Sequence, residues 1–376
     1  MLPLQGVTVI EIAQNLAGPY AGEILAMLGA DVLKIERPEG GDDARGWGPP
    51  FHEGMAATFH TVNRNKRSVT LDMKNPQDLQ RLKGLIAQAD VLIQNLRPGA
   101  LDALGLGPEA VRVDNPRLVY CSLWALGAKG PLRMAPGYEP IVQAYSGLFS
   151  LNGTEDGPPA RVGVQVLDLG TGIWAALGCI AALFRRTTTG EGGVVDTSLL
   201  ETSLAWMSIY FSHYSCTGDI PRRDRTGNPK VVVFSALPTA DKELVVAAAN
   251  DRLFAKLAKE LGHPEWAQDS RFATNAARVE NRSLILGLIG DIMKRKPSAY
   301  WSERLDAIGI PCAPINDIST INADPHIDAL GIVSAPPGTD LRLIGFPMMI
   351  DGERPQPRSA APLLGEHNAD VGVQSK

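Results

Sequence analysis

An aspartate followed by two glycines opens a long apolar stretch of this sequence. Asp168 stands in "LDLGTG", where Gly170 and Gly172 introduce a run without charged residues. A carboxylate at a helix N-terminus is favoured by the helix dipole and stays ionised, so Asp168 can cap this helix or attack an acyl group as a nucleophile. Together with Gly163, the two glycines would leave room beside the carboxylate for a bulky acyl partner.

The same letters permit a dinucleotide site. Gly170, Gly172 and Ala175 form G-x-G-x-x-A after a β-like run, the pattern of a turn that holds a diphosphate over a helix N-terminus. Such a fingerprint opens the first βα unit of its domain, whereas several strand candidates precede this one, and Asp168 would repel a diphosphate. The residues alone therefore favour a helix cap or a nucleophile over an NAD-dependent oxidoreductase, and they do not choose between the first two.

The N-terminal third predicts the elements that must position this carboxylate. Short β-branched runs alternate with helical patterns and cover residues 7–12, 31–36, 68–73, 89–95 and 118–125. This alternation predicts a parallel, doubly wound sheet of the α/β class, whose ligands bind beyond the carboxyl ends of the strands. These ends fall near residues 13–18, Arg37, Lys74 and Asn95.

The rest of the chain predicts a second, smaller domain. Residues 172–184 are apolar nearly all round and predict a helix buried on every side, and residues 198–214 predict a second apolar helix. The expected organisation is a large domain over 1–215, a Pro-, Gly- and Arg-rich linker over 216–230, a small α+β domain over 231–312 and a return segment over 313–376. The small domain is expected to contain a hairpin within 231–249 and helices over 252–261, 279–294 and 299–307.

Composition restricts the class of protein. Hydrophobic residues make up 44% and charged residues 20%, with a net charge of −5, which is typical of a soluble globular protein and argues against nucleic-acid or membrane-surface binding. Four scattered cysteines without a C-x-x-C pair predict reduced thiols in a cytoplasmic protein. We expect no signal peptide, because the start lacks a cationic segment, and no membrane helix, because no apolar run reaches spanning length.

Longer motifs carry a family resemblance over nearly the whole chain. They are "LAGPYAGEILAMLGADVLKIERPEGGDDAR", "NRNKRSVTLDMKNP", "VLIQNLRPGALDALGL", "GYEPIVQAYSGL", "GIPCAPIND" and "APLLGEH". In this order they resemble the class III CoA-transferases, which include formyl-CoA transferase and carnitine CoA-transferase. The resemblance implies a Rossmann-like large domain joined to a small one, an active site between the two, and an interlocked homodimer.

The resemblance also implies a mechanism. Asp168 matches the family's catalytic aspartate, which forms mixed-anhydride and aspartyl-CoA thioester intermediates while coenzyme A moves between carboxylic acids. Acyl-CoA and a small carboxylic acid are then substrates, and neither a tightly bound cofactor nor a metal is needed.

The contacts with coenzyme A are likewise implied by the resemblance. They come from the loops that follow the predicted strands and from the tyrosine–acid pair beside the thioester end: Leu16, Ala17, Arg37, Leu71, Asp72, Met73, Lys74, Asn95, Leu96, Arg97, Tyr138 and Glu139. Arg37, Lys74 and Arg97 are cations at predicted strand ends, which suits the phosphates of coenzyme A.

The sequence departs from formyl-CoA transferase at several places. That enzyme has an arginine where this chain has Ala103, a glutamine where it has Leu16, and a glycine-rich flap without a counterpart here, which argues against formyl or oxalate substrates. The family's usual C-terminal helix also has no counterpart after "LLGEHNADVGVQSK".

Two other functions fit the same fold. The α-methylacyl-CoA racemases have a histidine where this chain has Tyr138, and none of its six histidines lies in that motif. A tyrosine, with a pKa near 10, suits that role poorly. A catalytically silent CoA-binding paralogue is the other alternative, and the retention of Asp168 among glycines argues against it.

Overall fold

The computed structural model describes residues 1–373, which divide into two compact units. The larger unit contains Met1–Leu148, Val162–Ser212 and the chain from His326 onward. The smaller unit contains Phe149–Arg161 and His213–Pro325. Both units are therefore assembled from separated segments of the chain.

The described residues contain thirteen strands and fourteen α-helices. The strands are β1 (Thr8–Glu11), β2 (Asp31–Glu36), β3 (Phe51–His52), β4 (Met55–Ala56), β5 (Lys66–Thr70), β6 (Val91–Gln94), β7 (Val119–Trp124), β8 (Gly193–Ser198), β9 (Phe234–Pro238), β10 (Glu243–Ala247), β11 (Cys312–Pro314), β12 (Val333–Ser334) and β13 (Leu343–Ile344). The helices are α1 (Ala17–Met27), α2 (Ala57–Val62), α3 (Pro76–Gln88), α4 (Pro108–Asp114), α5 (Glu139–Ser146), α6 (Val166–Thr189), α7 (Leu199–Trp206), α8 (Ser208–Thr217), α9 (Asp251–Glu260), α10 (Asn275–Glu280), α11 (Arg282–Met293), α12 (Ser298–Ala307), α13 (Ile318–Asn322) and α14 (Pro325–Ala329).

A six-stranded parallel sheet forms the centre of the larger unit. Its strand order is β5-β2-β1-β6-β7-β8, which confirms the predicted α/β class with a parallel sheet. The order runs outward from β1 in one direction and from β6 in the other, as in Rossmann-type sheets. Ligands of such sheets bind where the order reverses, beyond the carboxyl ends of the strands, which here means the loops after β1 and β6.

Each face of this sheet is covered by helices. Val9 and Val91 belong to one hydrophobic core, together with residues of α1 and α6. Ile10 and Leu92, their chain neighbours, belong to a second core with residues of α3. Since successive side chains of a strand point to opposite faces, each core lies between the sheet and one of the two helix layers that cover it.

The smaller unit has its own core and an antiparallel sheet of order β11-β10-β9. Strands β9 and β10 form the hairpin predicted within residues 231–249. Arg278 is fully buried beside this sheet. Its guanidinium donates to the carbonyls of Val232 and Phe272 and pairs with Asp251, so a charged side chain joins three segments of the unit.

Some predicted elements are wrong or missing. The strand predicted over 68–73 is β5 (Lys66–Thr70), because its parallel register with β2 ends where Glu36 pairs with Thr70. Strand β8 was not predicted, since "GVVDTS" has little apolar character and its partner β7 determines its conformation. The single helix predicted over 198–214 is two helices, α7 and α8.

Helix α6 is buried on one face only, which contradicts the prediction of a helix buried all round. Ile173, Leu177 and Phe184 are 46%, 52% and 77% exposed within this chain. By length and composition alone α6 could also span a membrane, so the prediction that no apolar run reaches that length is wrong. Half of its most apolar window is buried inside the protein, where α6 packs against α1 and the sheet.

Gly172 permits the close approach of α6 and α1. Alanine substitutions at Gly172 and at Gly84, another helical glycine, should therefore change the free energy of unfolding in opposite directions. A Cβ atom at Gly172 would lie 2.7 Å from the carbonyl oxygen of Ala17 and 3.0 Å from Cδ1 of Tyr20. Gly172→Ala is therefore expected to lower the free energy of unfolding by about 1–3 kcal/mol. At Gly84 in α3 nothing lies within 4 Å, so Gly84→Ala should raise it by up to about 1 kcal/mol. Thermal unfolding measures both, and a stabilised Gly172→Ala protein would contradict this close packing of α6 on α1.

Candidate active site

Asp168 lies inside the first turn of α6. The residue at the N-cap position is Gln165, whose side chain makes no capping hydrogen bond. Asp168 is thus the third helical residue, and the interpretation of Asp168 as the N-cap is wrong. A carboxylate in the first turn is still favoured by the helix dipole, by about 0.3–1 kcal/mol.

The glycines after Asp168 serve packing, which corrects two sequence interpretations. Gly170 and Gly172 lie within α6, and residues 161–165 form no strand, so this stretch does not form the turn of a dinucleotide fingerprint. A Cβ atom at Gly170 would lie 2.9 Å from Thr202 Cγ2 and from Trp206 Cζ2, so this glycine lets α7 approach α6. Only Gly163, of the three glycines proposed to leave room beside the carboxylate, faces open space.

Glu139 holds the segment that leads into α6. Glu139 is 3% exposed, and its Oε1 accepts the backbone N–H of Leu167, the residue before Asp168, at 2.9 Å. Gln143, one turn further along α5, donates to the same oxygen at 3.2 Å. The Oε1 atom of Gln143 accepts the backbone N–H of Val162 at 3.0 Å. Helix α5 was not predicted, although Pro140 in a first turn is typical of a helix start.

The loop after β1 meets the loop after β6 through Asn95. Its side chain accepts the Gln14 N–H at 2.8 Å and donates to the Gln14 carbonyl at 2.7 Å. This reciprocal pair sits where the strand order reverses. Leu16 and Ala17 follow directly, both buried at the start of α1, and the carbonyl of Ala17 faces Gly172.

Asp168, Ala17 and Asn95 are brought to one end of the sheet. Residues four apart share a helix face, so Asp168 lies on the face of α6 that meets Ala17 through Gly172. Asn95 in turn contacts the loop before Ala17.

A fully buried lysine supports the loop after β1. Lys34 in β2 lies beside Glu11 in β1, and its Nζ contacts Glu11 Oε1 at 2.9 Å and Asp42 Oδ2 at 2.8 Å. The same Nζ donates to the carbonyl of Ala13 at 2.9 Å. Burial lowers the pKa of Lys34, but the surrounding carboxylates outweigh it and the net shift is upward.

A second buried lysine joins this network. Lys66 Nζ lies 2.8 Å from Glu11 Oε2 and donates to the carbonyl of Pro19 at 2.7 Å. Burial lowers the pKa of Lys66 to about 8. Burial opposes ionisation of Glu36, yet its bonds from Arg45 prevail and hold the pKa of Glu36 at about 2. The pattern analysis missed these groups, because nothing in a single sequence signals charges buried across neighbouring strands.

The predicted contacts after β2 and β5 are close together and mostly exposed. Leu71 donates its N–H to the carbonyl of Glu36, the residue before Arg37. Arg37 is exposed and pairs with Asp43. After the buried Leu71 come Asp72, whose carboxylate accepts the backbone N–H of Lys74, and the half-buried Met73.

Arg97 lines a cavity beyond β6 and β7. This cavity, of about 220 Å³, is bounded by Gln94 and Trp124 at the ends of these strands. Arg97 and Arg133 both line it, as does Asp196, which accepts the indole N–H of Trp124 at 2.8 Å. Sequence reasoning did not single out Arg133. Leu96, next to Arg97, instead packs against the core on the α3 side of the sheet.

The remaining predicted residue, Tyr138, is 66% exposed at the N-cap position of α5, directly before the buried Glu139. All thirteen predicted site residues lie in the larger unit.

Comparison with known proteins assigns this chain to a family. The family model described as CoA-transferase family III matches residues 4–368. This chain belongs to CoA-transferase family III. A succinate–glutarate CoA-transferase of Agrobacterium fabrum is 38% identical, with 98% of this chain and 94% of that protein covered. The acetyl-CoA:oxalate CoA-transferase of Acetobacter aceti is 35% identical, with 98% and 94% covered.

A solved structure agrees with this assignment. The crystal structure of a CaiB/BaiF family protein from Brucella suis superposes with a TM-score of 0.88 at 37% identity, covering 98% of both chains. The chain is thus a CoA-transferase, an enzyme that moves coenzyme A from an acyl-CoA to a carboxylic acid, with coenzyme A as a substrate. Both curated relatives are named as transferases, which argues against the racemase and the silent paralogue.

Proposed function

We propose that this CoA-transferase works through a covalent intermediate on Asp168. The observation that carries the proposal is the position of Asp168 in the first turn of α6, on the helix face that meets Ala17. Helix-end amides favour the negative charge that a carboxylate nucleophile must keep. Asn95 and the loop after β1 bring the proposed CoA contacts Leu16 and Ala17 to the same end of the sheet.

The reaction balances through two kinds of acyl intermediate. An oxygen of Asp168 attacks the thioester carbonyl of the donor, the C–S bond breaks, and the CoA thiolate leaves a mixed anhydride behind. The thiolate attacks the aspartyl carbonyl of that anhydride, which releases the donor carboxylate and forms an aspartyl-CoA thioester. The acceptor carboxylate attacks the carbonyl of this thioester and releases the thiolate, which leaves a second mixed anhydride. The thiolate then attacks the acceptor carbonyl of that anhydride, which forms the new acyl-CoA and restores the Asp168 carboxylate. Holding thiolate and anhydride together replaces an encounter in solution.

We propose short dicarboxylic acids as substrates, with succinyl-CoA as the donor. The support is that the human relative, 34% identical with 98% of this chain covered, is named succinyl-CoA:glutarate CoA-transferase, and that the Agrobacterium relative is named for succinate and glutarate. Cations at strand ends suit the phosphates of coenzyme A: Arg37 and Lys74 on one side of the reversal point, and Arg97 on the other. Leu71, Asp72, Met73, Leu96 and Tyr138 remain proposed contacts of coenzyme A.

The test is an exchange assay with a trapping step. The protein is incubated with succinyl-CoA and a panel of mono- and dicarboxylic acids, and new CoA esters are identified by mass spectrometry. Hydroxylamine added during turnover should modify the peptide containing Asp168. No new ester and no modified peptide would contradict the proposal, and so would exchange of the α-proton of a 2-methylacyl-CoA in deuterated water without transfer.

We further propose that the enzyme acts as a homodimer in the cytoplasm and that its larger unit binds coenzyme A. The exposed apolar face of α6 supports association with a second copy, and Trp174 and Trp206 extend it with ring centroids 5.8 Å apart. The four free cysteines support a reducing compartment. A light-scattering mass of one chain would contradict the dimer.

A further inference from the structure

Two buried side chains of α5 hold the backbone that ends at Asp168. Glu139 accepts the N–H of Leu167 at 2.9 Å, and Gln143 accepts the N–H of Val162 at 3.0 Å. Glu139 and Gln143 are bonded to each other at 3.2 Å and are 3% and 0% exposed. The pair therefore hydrogen-bonds the segment 162–167 at both of its ends.

We propose that Glu139 and Gln143 are positioning residues, which set where α6 begins and so where the Asp168 carboxylate points. This inference rests on the proposed nucleophilic role of Asp168, and it gives Glu139 a role other than contact with substrate. The N-cap residue of α6, Gln165, provides no side-chain bond. Glu139, on another helix, supplies the side-chain acceptor for the Leu167 N–H in the first turn of α6.

These hydrogen bonds should affect the reaction rate at Asp168 more than the affinity for coenzyme A. A reacting group displaced by about 1 Å can lose on the order of 100-fold in rate. Coenzyme A affinity depends on groups along the whole nucleotide, so it should not change when one carboxylate moves.

The experiment compares substitutions that keep or remove the acceptor. Glu139→Gln retains an oxygen that can accept the Leu167 N–H, whereas Glu139→Leu removes the acceptor of both that N–H and the Gln143 amide. We expect Glu139→Leu to lower the rate of Asp168 acylation in a single turnover by roughly 10- to 100-fold, with the Kd for CoA changed less than about threefold. Glu139→Gln should recover most of that rate. If both variants are equally slow, the charge of Glu139 matters more than the acceptor, and the proposal is overturned.

Gln143→Leu provides a second variant in case Glu139→Leu does not fold. It keeps the Glu139 oxygen but frees Val162, and we expect a similar split between an impaired kcat and an unchanged KM. Glu201→Leu is the control, because the Glu201 carboxylate accepts the hydroxyl of Ser198, the N-cap residue of α7, and has no hydrogen bond to residues 162–167 among those the structure describes. Wild-type acylation rates in Gln143→Leu, or an equal loss in the control, would refute the inference.

A measurement without turnover separates this inference from the proposed function. Amide hydrogen exchange at Leu167 should be slow in the wild type and in Glu139→Gln, and fast in Glu139→Leu. If the wild type forms no adduct on Asp168, the proposed function fails, and this exchange pattern still decides whether the pair holds the segment. Equal exchange in all three proteins would overturn the inference whatever the outcome of acylation.

Discussion

Replacing Asp168 with asparagine is expected to lower CoA transfer by at least about 10³-fold. The substitution keeps the size of the side chain but removes the negative charge and the nucleophilic oxygen, and loss of a covalent nucleophile has effects of this order or larger. The Kd for CoA should stay within about threefold, since the nucleotide contacts lie on other loops. Turnover by mass spectrometry and binding by calorimetry measure the two quantities.

The matched control for this experiment is Glu109→Gln. Glu109 is an exposed acid in the first turn of α4, so the substitution removes a charge from the first turn of another helix in the same unit. Its activity should remain near that of the wild type. Asp168→Asn protein that retains more than a tenth of the activity, or still yields a hydroxylamine-modified peptide, would show that the carboxylate is not acylated during turnover.

Replacing Lys34 with methionine is expected to destabilise the protein by about 3–5 kcal/mol. The ammonium group is fully buried between Glu11 and Asp42, and its removal leaves buried carboxylates with too little positive charge. Lys66 still pairs with Glu11, so the loss falls mainly on Asp42. Urea and thermal unfolding followed by circular dichroism should both report the change.

An exposed lysine of the same unit provides the comparison. Lys129→Met changes the same atoms where solvent already covers the side chain, and the free energy of unfolding should change by less than about 0.5 kcal/mol. The CoA affinity is a second readout, because Lys34 also donates a hydrogen bond to the carbonyl of Ala13, which precedes Leu16 and Ala17 in the loop after β1. Equal stability of the two variants would mean that the ion pairs contribute little to the folded state.

The fold was largely predictable because its strands carry a strong local signal. The β-branched runs of β1, β2, β6 and β7 fit their pattern, and β2 matches its predicted bounds. Strand β8 and helix α5 escaped, because the first depends on pairing with β7 and the second begins at Tyr138-Glu139-Pro140 within a loop-like stretch. The exposed face of α6 was missed, since an apolar helix in sequence does not say what covers it.

Candidate site residues could be named from the sequence, whereas the contacts between them could not. The glycine setting made Asp168 a candidate and the family resemblance favoured it as the nucleophile, yet Gly170 and Gly172 pack against helices rather than leaving space. Lys34 appeared as an ordinary strand residue in "DVLKIE", because period-two alternation assigns a face and not a partner. The bond from Leu167 to Glu139 joins positions 28 residues apart, a juxtaposition that no local pattern encodes.

The two sides of the parallel sheet differ in how well they should tolerate amino-acid substitutions. Within β1, β2 and β5 the interior holds paired ions such as Lys34 and Lys66, where any single substitution leaves a buried charge without its partner. Beyond β6 and β7, the exposed side chains of Arg97 and Arg133 line a recess. We therefore expect substitutions to be tolerated better around the recess than among the buried ion pairs. Variant libraries that must preserve the fold should target the recess, except for Arg97, which is a proposed contact of coenzyme A, and should leave the buried ion pairs unchanged.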